Sequence, residues 1–304
     1  MWADSITPNY EMTGRRRSYE ELDLVVDVLG KVDINEIARE VGITVFDGDA
    51  YMVDYPKTLK GLSSGRVAVR LTSYYSILAC HPGISRTLEQ EIDEVLNKAA
   101  DQGYAVPRSL SELREHVYAY TDDSNVLHRP APAGVSVVLT AREDGDLFTL
   151  ISRRSNRVAL NPGVWTTAVD EGLNNPRPGV SRKLAWEGLN DEVGFTLEER
   201  RSGSLRACGF FLPERSPDES LAVSPARSGA NEIWELELQQ RDRLEEVASR
   251  LRSNINSDSG IFEVDQVEVM SCDSMRQFFS DGSTTPSEVL SAWHGAQSQG
   301  RPEP

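Results

Sequence analysis

Apolar positions in the first part of the chain recur every third or fourth residue, the spacing of one helical face, and in the second part they alternate. Leu22, Val25, Val26 and Leu29 predict an amphipathic helix over Tyr19–Gly30, and Asp33 caps a second one with Ile34, Ile37, Ala38 and Val41 inward. The stretch VFDGDAYMVDYP then alternates about Asp47-Gly48-Asp49 and predicts a β-hairpin. Val67, Val69 and Leu71 read as a strand, Ser73 opens a short helix through Leu78, and a turn at Cys80-His81-Pro82-Gly83 leads into a longer helix from Arg86 to about Gln102. A further helix runs from Ser109 towards Tyr118.

The pattern changes after a polar, proline-rich stretch from Asp122 to Ala133, where a domain boundary is expected. Val135–Thr140 and Leu147–Ser152 flank the turn Asp144-Gly145-Asp146 as a hairpin that ends in Arg153-Arg154. Asn161-Pro162-Gly163-Val164-Trp165 continues as strand or loop, a helix spans Ser181–Val193 with Ser181 as its cap, and a loop follows Gly194. Leu205–Leu212, Ile233–Leu238 and Val264–Met270 are strands, with a long Ser, Pro and Gly-rich loop before Ile233. Helices are expected over Arg243–Leu251, Cys272–Phe279 and Ser287–Trp293. The expected organisation is a mixed α+β unit over 1–130, an α/β unit over 131–296 and a disordered tail over 297–304.

Composition narrows the function classes. A formal net charge of −16 over 304 residues opposes general binding to DNA or RNA, which depends on neutralising phosphates with Lys and Arg. Ile34–Thr44 resembles the first half of a helix-turn-helix, but no basic recognition helix follows, and ordinary helix packing accounts for it. Arg15-Arg16-Arg17 is a small basic patch on what reads as a loose, solvated terminus. The three cysteines, Cys80, Cys208 and Cys272, are too far apart for a disulfide framework or a CxxC metal site. Cys80 beside His81 suggests a reactive pair only superficially, since sequence neighbours seldom aim at each other and no orienting third group is evident. With no signal-peptide or membrane-span pattern, the expectation is a cytoplasmic protein without membrane contact.

The stretch Trp165–Phe195 breaks local rules. Its helix carries Asp191 and Glu192 in the last turn, where the helix dipole opposes negative charge by roughly 0.3–1 kcal/mol per exposed group. It also holds Gly188 in its interior, at a cost of about 1 kcal/mol relative to alanine. A helix selected only for stability would do neither. A cation between these acids and a phosphate offsets the adverse placement.

Ala185, Leu189, Asp191, Glu192, Gly194 and Phe195 fall on the frame of the Nudix box, and Arg153-Arg154 and Trp165 precede it as in that family. Residues of roughly 134–280 thus resemble the Nudix hydrolase superfamily. The box is degenerate: its Arg-Glu pair is Glu187-Gly188, its earlier glutamate position is Gly179 and its opening glycine is Leu173, while an insertion at Asn174–Gly179 would align the start near Asp170-Glu171. The resemblance implies a Nudix-like α/β/α sandwich with a mixed sheet that hydrolyses a nucleoside diphosphate derivative with Mg²⁺ or Mn²⁺.

Diphosphate hydrolysis requires a divalent cation to neutralise phosphate oxygens and a positioned water as nucleophile. Mg²⁺ takes oxygen ligands and keeps several waters, so two or three carboxylates suffice. Asp191 and Glu192 are the expected cation ligands, and Glu171 or Glu187 the expected aid to the water, with Glu171 filling in for Gly188 from the facing loop. Glu232 or Glu235 can add a carboxylate from a later strand, although strand acids are more often solvated. Arg153 and Arg154 suit phosphate through bidentate hydrogen bonds, though paired arginines at a strand end are also ordinary surface. Trp165 and Trp186 can stack on a base and are equally suited to the core. The alternative is a catalytically impaired Nudix-like domain that senses a nucleotide-type ligand, with a protein partner engaged through the N-terminal unit.

Overall fold

The computed structural model describes residues 2–4, 8–15, 20–45, 48–119, 131–173, 176–177, 179–211, 230–255, 263–271 and 274–275. Strands β1 (Trp2–Asp4) and β2 (Asn9–Arg15) come first, followed by helices α1 (Glu20–Lys31) and α2 (Ile34–Glu40). Asp33 caps α2 by accepting from the amides of Asn35 and Glu36, as its position implies. Strand β3 (Asp49–Val53), helix α3 (Tyr55–Gly61), strand β4 (Arg66–Ser73) and helices α4 (Tyr74–Cys80), α5 (Arg86–Asp101) and α6 (Leu110–Ala119) complete this part.

Strand β5 (Ala131–Glu143) opens the second part. After it come β6 (Asp146–Arg154), β7 (Trp165–Thr166), β8 (Val169–Gly172) and α7 (Val180–Asp191). Helix α8 (Leu197–Ser202), strands β9 (Ser204–Phe211) and β10 (Ala230–Leu238), helix α9 (Arg241–Ile255) and strand β11 (Val264–Ser271) follow. The fold is mixed α/β. β10 runs parallel to β5 and β2 parallel to β4, while the other pairings are antiparallel.

Strand β5 is the spine. It pairs with β10 from Ala133 to Ala141, with β8 from Gly134 to Val137 and with β6 from Leu139 to Glu143. Its first residues also meet β3, Met52 opposite Pro132 and Val53 opposite Ala131, so one hydrogen-bonded path runs β1-β9-β10-β5-β3-β4-β2. Side chains alternate across β5: Val135, Val137 and Leu139 join the apolar faces of α7 and α9, whereas Val138 packs on the opposite face with Ile151, Trp165 and Ile233. A separate apolar core is formed by α1, α2, α4, α5 and α6, including Leu22, Leu29, Leu78, Leu88, Ile92 and Leu113.

The structure amends four local expectations. Asp49–Val53 is a strand, but its partner is β4, in the register Asp49 with Ser73 through Val53 with Val69, and Thr44 instead bridges to Val158. Burial of β4 on both sides outweighs the local turn signal. Helix α7 begins at Val180 behind Gly179, so Ser181 lies buried inside its first turn and is not the cap. The residues after Gly194 form α8, closed by a capping box in which Thr196 and Glu199 each accept from the other's backbone amide. Glu232 and Glu235 are buried, not solvated, because β10 is covered on both faces. The expected basic patch at Arg15–Arg17, the long loop before Ile233, the helices near 272–279 and 287–293 and the tail lie wholly or largely outside the described residues.

Candidate active site

Helix α7 lies over β8 and β5 with Leu184, Ala185 and Leu189 in the sheet core. It ends where Gly194, at φ +70, allows the Phe195 amide to return to the Leu189 carbonyl at 2.9 Å. That close places Asp191 exposed and Glu192 half-buried at the helix end, facing β8.

The interior glycine of α7 has a steric cause. A Cβ on Gly188 would overlap Val169 Cγ1 and stand 2.9 Å from Glu171 Cγ and 3.3 Å from Glu171 Oε1. The Glu171 side chain therefore lies across the helix at the place where residue 188 has no side chain, and it hydrogen-bonds the carboxyl of Glu192. Sequence reasoning asked Glu171 to compensate for Gly188, and the structure brings the two residues into contact.

The pair is electrostatically loaded. Burial raises the Glu192 pKa well above the ordinary carboxylate value, and the charges of Glu171, Glu263 and Asp170 raise it further. Burial also raises Glu171, with Glu263, Asp170 and Asp191 adding repulsion, while the hydrogen bond from Glu192 opposes the rise. The two carboxyls titrate as a pair, and burial favours the protonated form of each. Glu263, just ahead of β11, belongs to this acidic field and was not anticipated. Its only sequence signal is an acid directly before a strand that must return beside Arg154.

Other anticipated residues are dispersed. Glu187 forms a surface ion pair with Lys183 at 3.1 Å, one helical turn away. Trp165 is 6% exposed in the core with Val138, Ile151 and Ile233, and Trp186 lies under Arg200 at 4.9 Å. Burial of Trp165 in that cluster leaves little of its ring open to a base. Glu235 takes the Thr140 hydroxyl at 2.8 Å and pairs with Arg206, and Glu232 takes the Tyr10 hydroxyl at 3.2 Å, so neither reaches the Glu171–Glu192 pair.

Of the two arginines, Arg154 acts on an acid of the site. Arg153 donates to the Gly163 carbonyl at 3.2 Å and to Gln266 Oε1 at 3.3 Å. Arg154 donates through Nε to the Leu160 carbonyl at 3.1 Å, and its charge acts on Asp170. Asp170 is itself fixed by hydrogen bonds to Oδ1 from Ser136 at 2.9 Å and Asn231 at 3.0 Å. Among the described residues no group of three or more His, Cys, Asp or Glu side chains is placed to hold a metal ion; Glu171 and Glu192 by themselves offer hard carboxylate oxygens, the donor type that Mg²⁺ and Mn²⁺ take.

No protein-family model matches the chain. Among solved structures it is similar to proteins of the Nudix class. One is a mutT/nudix family protein from Listeria innocua, 13% identical, covering 55% of this chain and 92% of that one at a TM-score of 0.36. Another is the NUDIX domain of Shewanella oneidensis NrtR solved with ADP ribose, 12% identical over 61% of this chain and 97% of that one, TM-score 0.36. In sequence it is similar to a proteasome-associated ATPase of Stackebrandtia nassauensis, 29% identical over 156 residues, which are 49% of this chain and 26% of that protein. A proteasome-associated ATPase of Streptomyces avermitilis is 33% identical over 138 residues, 43% of this chain and 23% of that protein. The chain spans about a quarter of the length of these curated relatives. Among the described residues no helix is long and apolar enough to cross a membrane.

Proposed function

We propose that the chain is a Nudix-like hydrolase that cleaves a nucleoside diphosphate derivative with a divalent cation. The observation that carries this reading is the Glu171–Glu192 pair, brought together across Gly188 at the end of the helix that bears Ala185, Leu189 and Asp191 and is followed by Gly194 and Phe195. In this reading Glu171 and Glu192 hold Mg²⁺ or Mn²⁺, with Asp191 and Glu263 adding negative potential. The bound cation supplies charge neutralisation on the phosphate oxygens. Arg154 and Arg153 orient the diphosphate, and a carboxylate not engaged by the cation takes the proton of the attacking water as the phosphorus–oxygen bond of the leaving group breaks. Glu187 is given no role in this reading, since its carboxylate lies on the surface beside Lys183.

The test is turnover of a panel that includes ADP-ribose, nucleoside diphosphate sugars and dinucleoside polyphosphates in Mg²⁺ or Mn²⁺. The wild type should hydrolyse at least one, and Glu171→Gln and Glu192→Gln should each lower the rate by a factor of about 10² or more. Full turnover in the Glu171→Gln/Glu192→Gln double variant rejects the assignment.

Gly188 favours a second reading, since the acid that the family places there is absent: a nucleotide-binding sensor that has lost the chemistry. Binding of the same compounds without any cation, together with no turnover, selects it. The likeness to proteasome-associated ATPases supports a shared module within such proteins. ATP hydrolysis of that kind is not proposed for this chain, whose sequence contains no Gly-x4-Gly-Lys-Ser/Thr phosphate loop.

A further inference from the structure

The helical core of the N-terminal half is completed by residues from the other half. Among the described residues, Ala159, 2% exposed, is the one buried member of that core from beyond Val117, and the half-buried Leu160 packs beside it. The segment around them is tied down on both flanks: the Thr44 amide donates to the Arg157 carbonyl at 2.9 Å, the Ser85 amide to Ala159 at 2.7 Å and the Asn161 amide to Gly83 at 2.6 Å. Thr44 bridges to Val158 and Ile84 to Leu160 as isolated β-bridges.

The contact is closest at the Cys80-His81-Pro82-Gly83 turn. A Cβ on Gly83 would overlap Asn161 Oδ1 and come within 3.0 Å of His81 Cε1. His81 is 3% exposed, accepts from the Gly83 amide through Nδ1 at 2.9 Å and has its carbonyl taken by Arg114 at 3.1 Å, so the turn is rigid. Asn161 stands at φ +52, a strained backbone for any residue but glycine or asparagine. The same loop holds the guanidinium of Arg154 by the Leu160 carbonyl, and its backbone closes on Arg154 through Val164 and Gly163 at 2.9 Å each.

We propose that the Gly83 turn is a positioning device through which the N-terminal helices seat the 155–164 loop and so fix Arg154 for an anionic phosphate ligand. Gly83 and Asn161 act through Arg154 and do not touch the ligand. This rests on the phosphate role given to Arg154 above, and it assigns the N-terminal half a task in ligand affinity.

The experiment is binding of inorganic pyrophosphate with Mg²⁺ by calorimetry, alongside hydrogen exchange at the Thr44, Ser85 and Asn161 amides. Gly83→Ala should quicken exchange at these amides and weaken pyrophosphate roughly tenfold, as loss of a well-placed charged hydrogen bond does. Asn161→Gly, which removes the obstructing side chain and suits the positive φ, should restore both in the double variant. Leu160→Ala trims the buried plug without overlap and should show a smaller loss of the same kind, which keeps the test usable where Gly83→Ala does not fold. Faster exchange with unchanged pyrophosphate affinity in either variant overturns the positioning role alone. Pyrophosphate affinity that is absent in the wild type, or unaffected by Arg154→Met, overturns the phosphate role of Arg154 and this proposal with it.

Discussion

The core among α1, α2, α4, α5 and α6 consists of Leu, Ile, Val, Ala and a buried Cys80, whereas the core around β5 and β10 includes ionisable and polar groups within its central strands. Glu232, Glu235, Ser136, Thr140 and Asn231 are all buried there. A buried acid costs free energy unless it is hydrogen-bonded, so such groups persist where they organise something that aliphatic packing does not. In the sheet half they organise polar neighbours: Thr140 and Arg206 at Glu235, and Ser136 with Asn231 at Asp170 beside the candidate site. The N-terminal half also buries polar groups, among them Asp54, Thr58 and His81, but they organise its own turns and strand ends, and its link to the site is the loop it grips.

That contrast predicts where substitutions act. The largest effect is chemical: Glu192→Gln should cut turnover by about 10² or more while the melting temperature holds or rises, because an acid with a raised pKa is relieved of its burial cost. Next is Leu88→Ala in the helical core, which should destabilise by about 2–5 kcal/mol in denaturant titration with kcat of the remaining folded enzyme unchanged. An equal loss of kcat there would erase the distinction between the halves. Gly188→Ala comes third. Its methyl group drives into Val169 and Glu171, so about 1–3 kcal/mol of stability and part of the cation affinity should go together. For the same reason, Gly188→Glu should displace the Glu171 side chain and not raise turnover.

The last effect is one of pH. Burial raises Glu232 from the ordinary value to about 7, with hydrogen bonds from Ser181 and Tyr10 opposing the rise. With the folded value above the unfolded one, its contribution to stability is full below about pH 4.5 and is lost as pH rises to about 7. The loss has a slope of up to about 1.4 kcal/mol per pH unit, and Glu232→Gln should flatten that part of the stability profile, read by melting at fixed ionic strength. An unaltered slope would place the titration elsewhere.

Most elements were legible because helical and alternating patterns are long in this chain. The failures have physical causes. Asp49–Val53 pairs with β4, a contact at long sequence separation that local turn chemistry does not encode, while Phe46 and Asp47 of the expected hairpin lie outside the described residues. Helix α8 was short enough that its capping box, Thr196 with Glu199, was the only cue. In the candidate site, the box frame pointed to the end of α7 and to Glu171, but Glu187 and Glu171 could not be ranked until the steric space over Gly188 was known. Glu263 and the grip of the Gly83 turn on Asn161 depend on tertiary contacts alone.

The most direct measurement of the central claim is calorimetric titration of Mn²⁺ into the wild type and into Glu171→Gln, Glu192→Gln and Glu187→Gln. The account predicts one cation site per chain that is lost in the first two variants and retained in the third. Equal Mn²⁺ binding in all four proteins, or binding abolished only by Glu187→Gln, would contradict it.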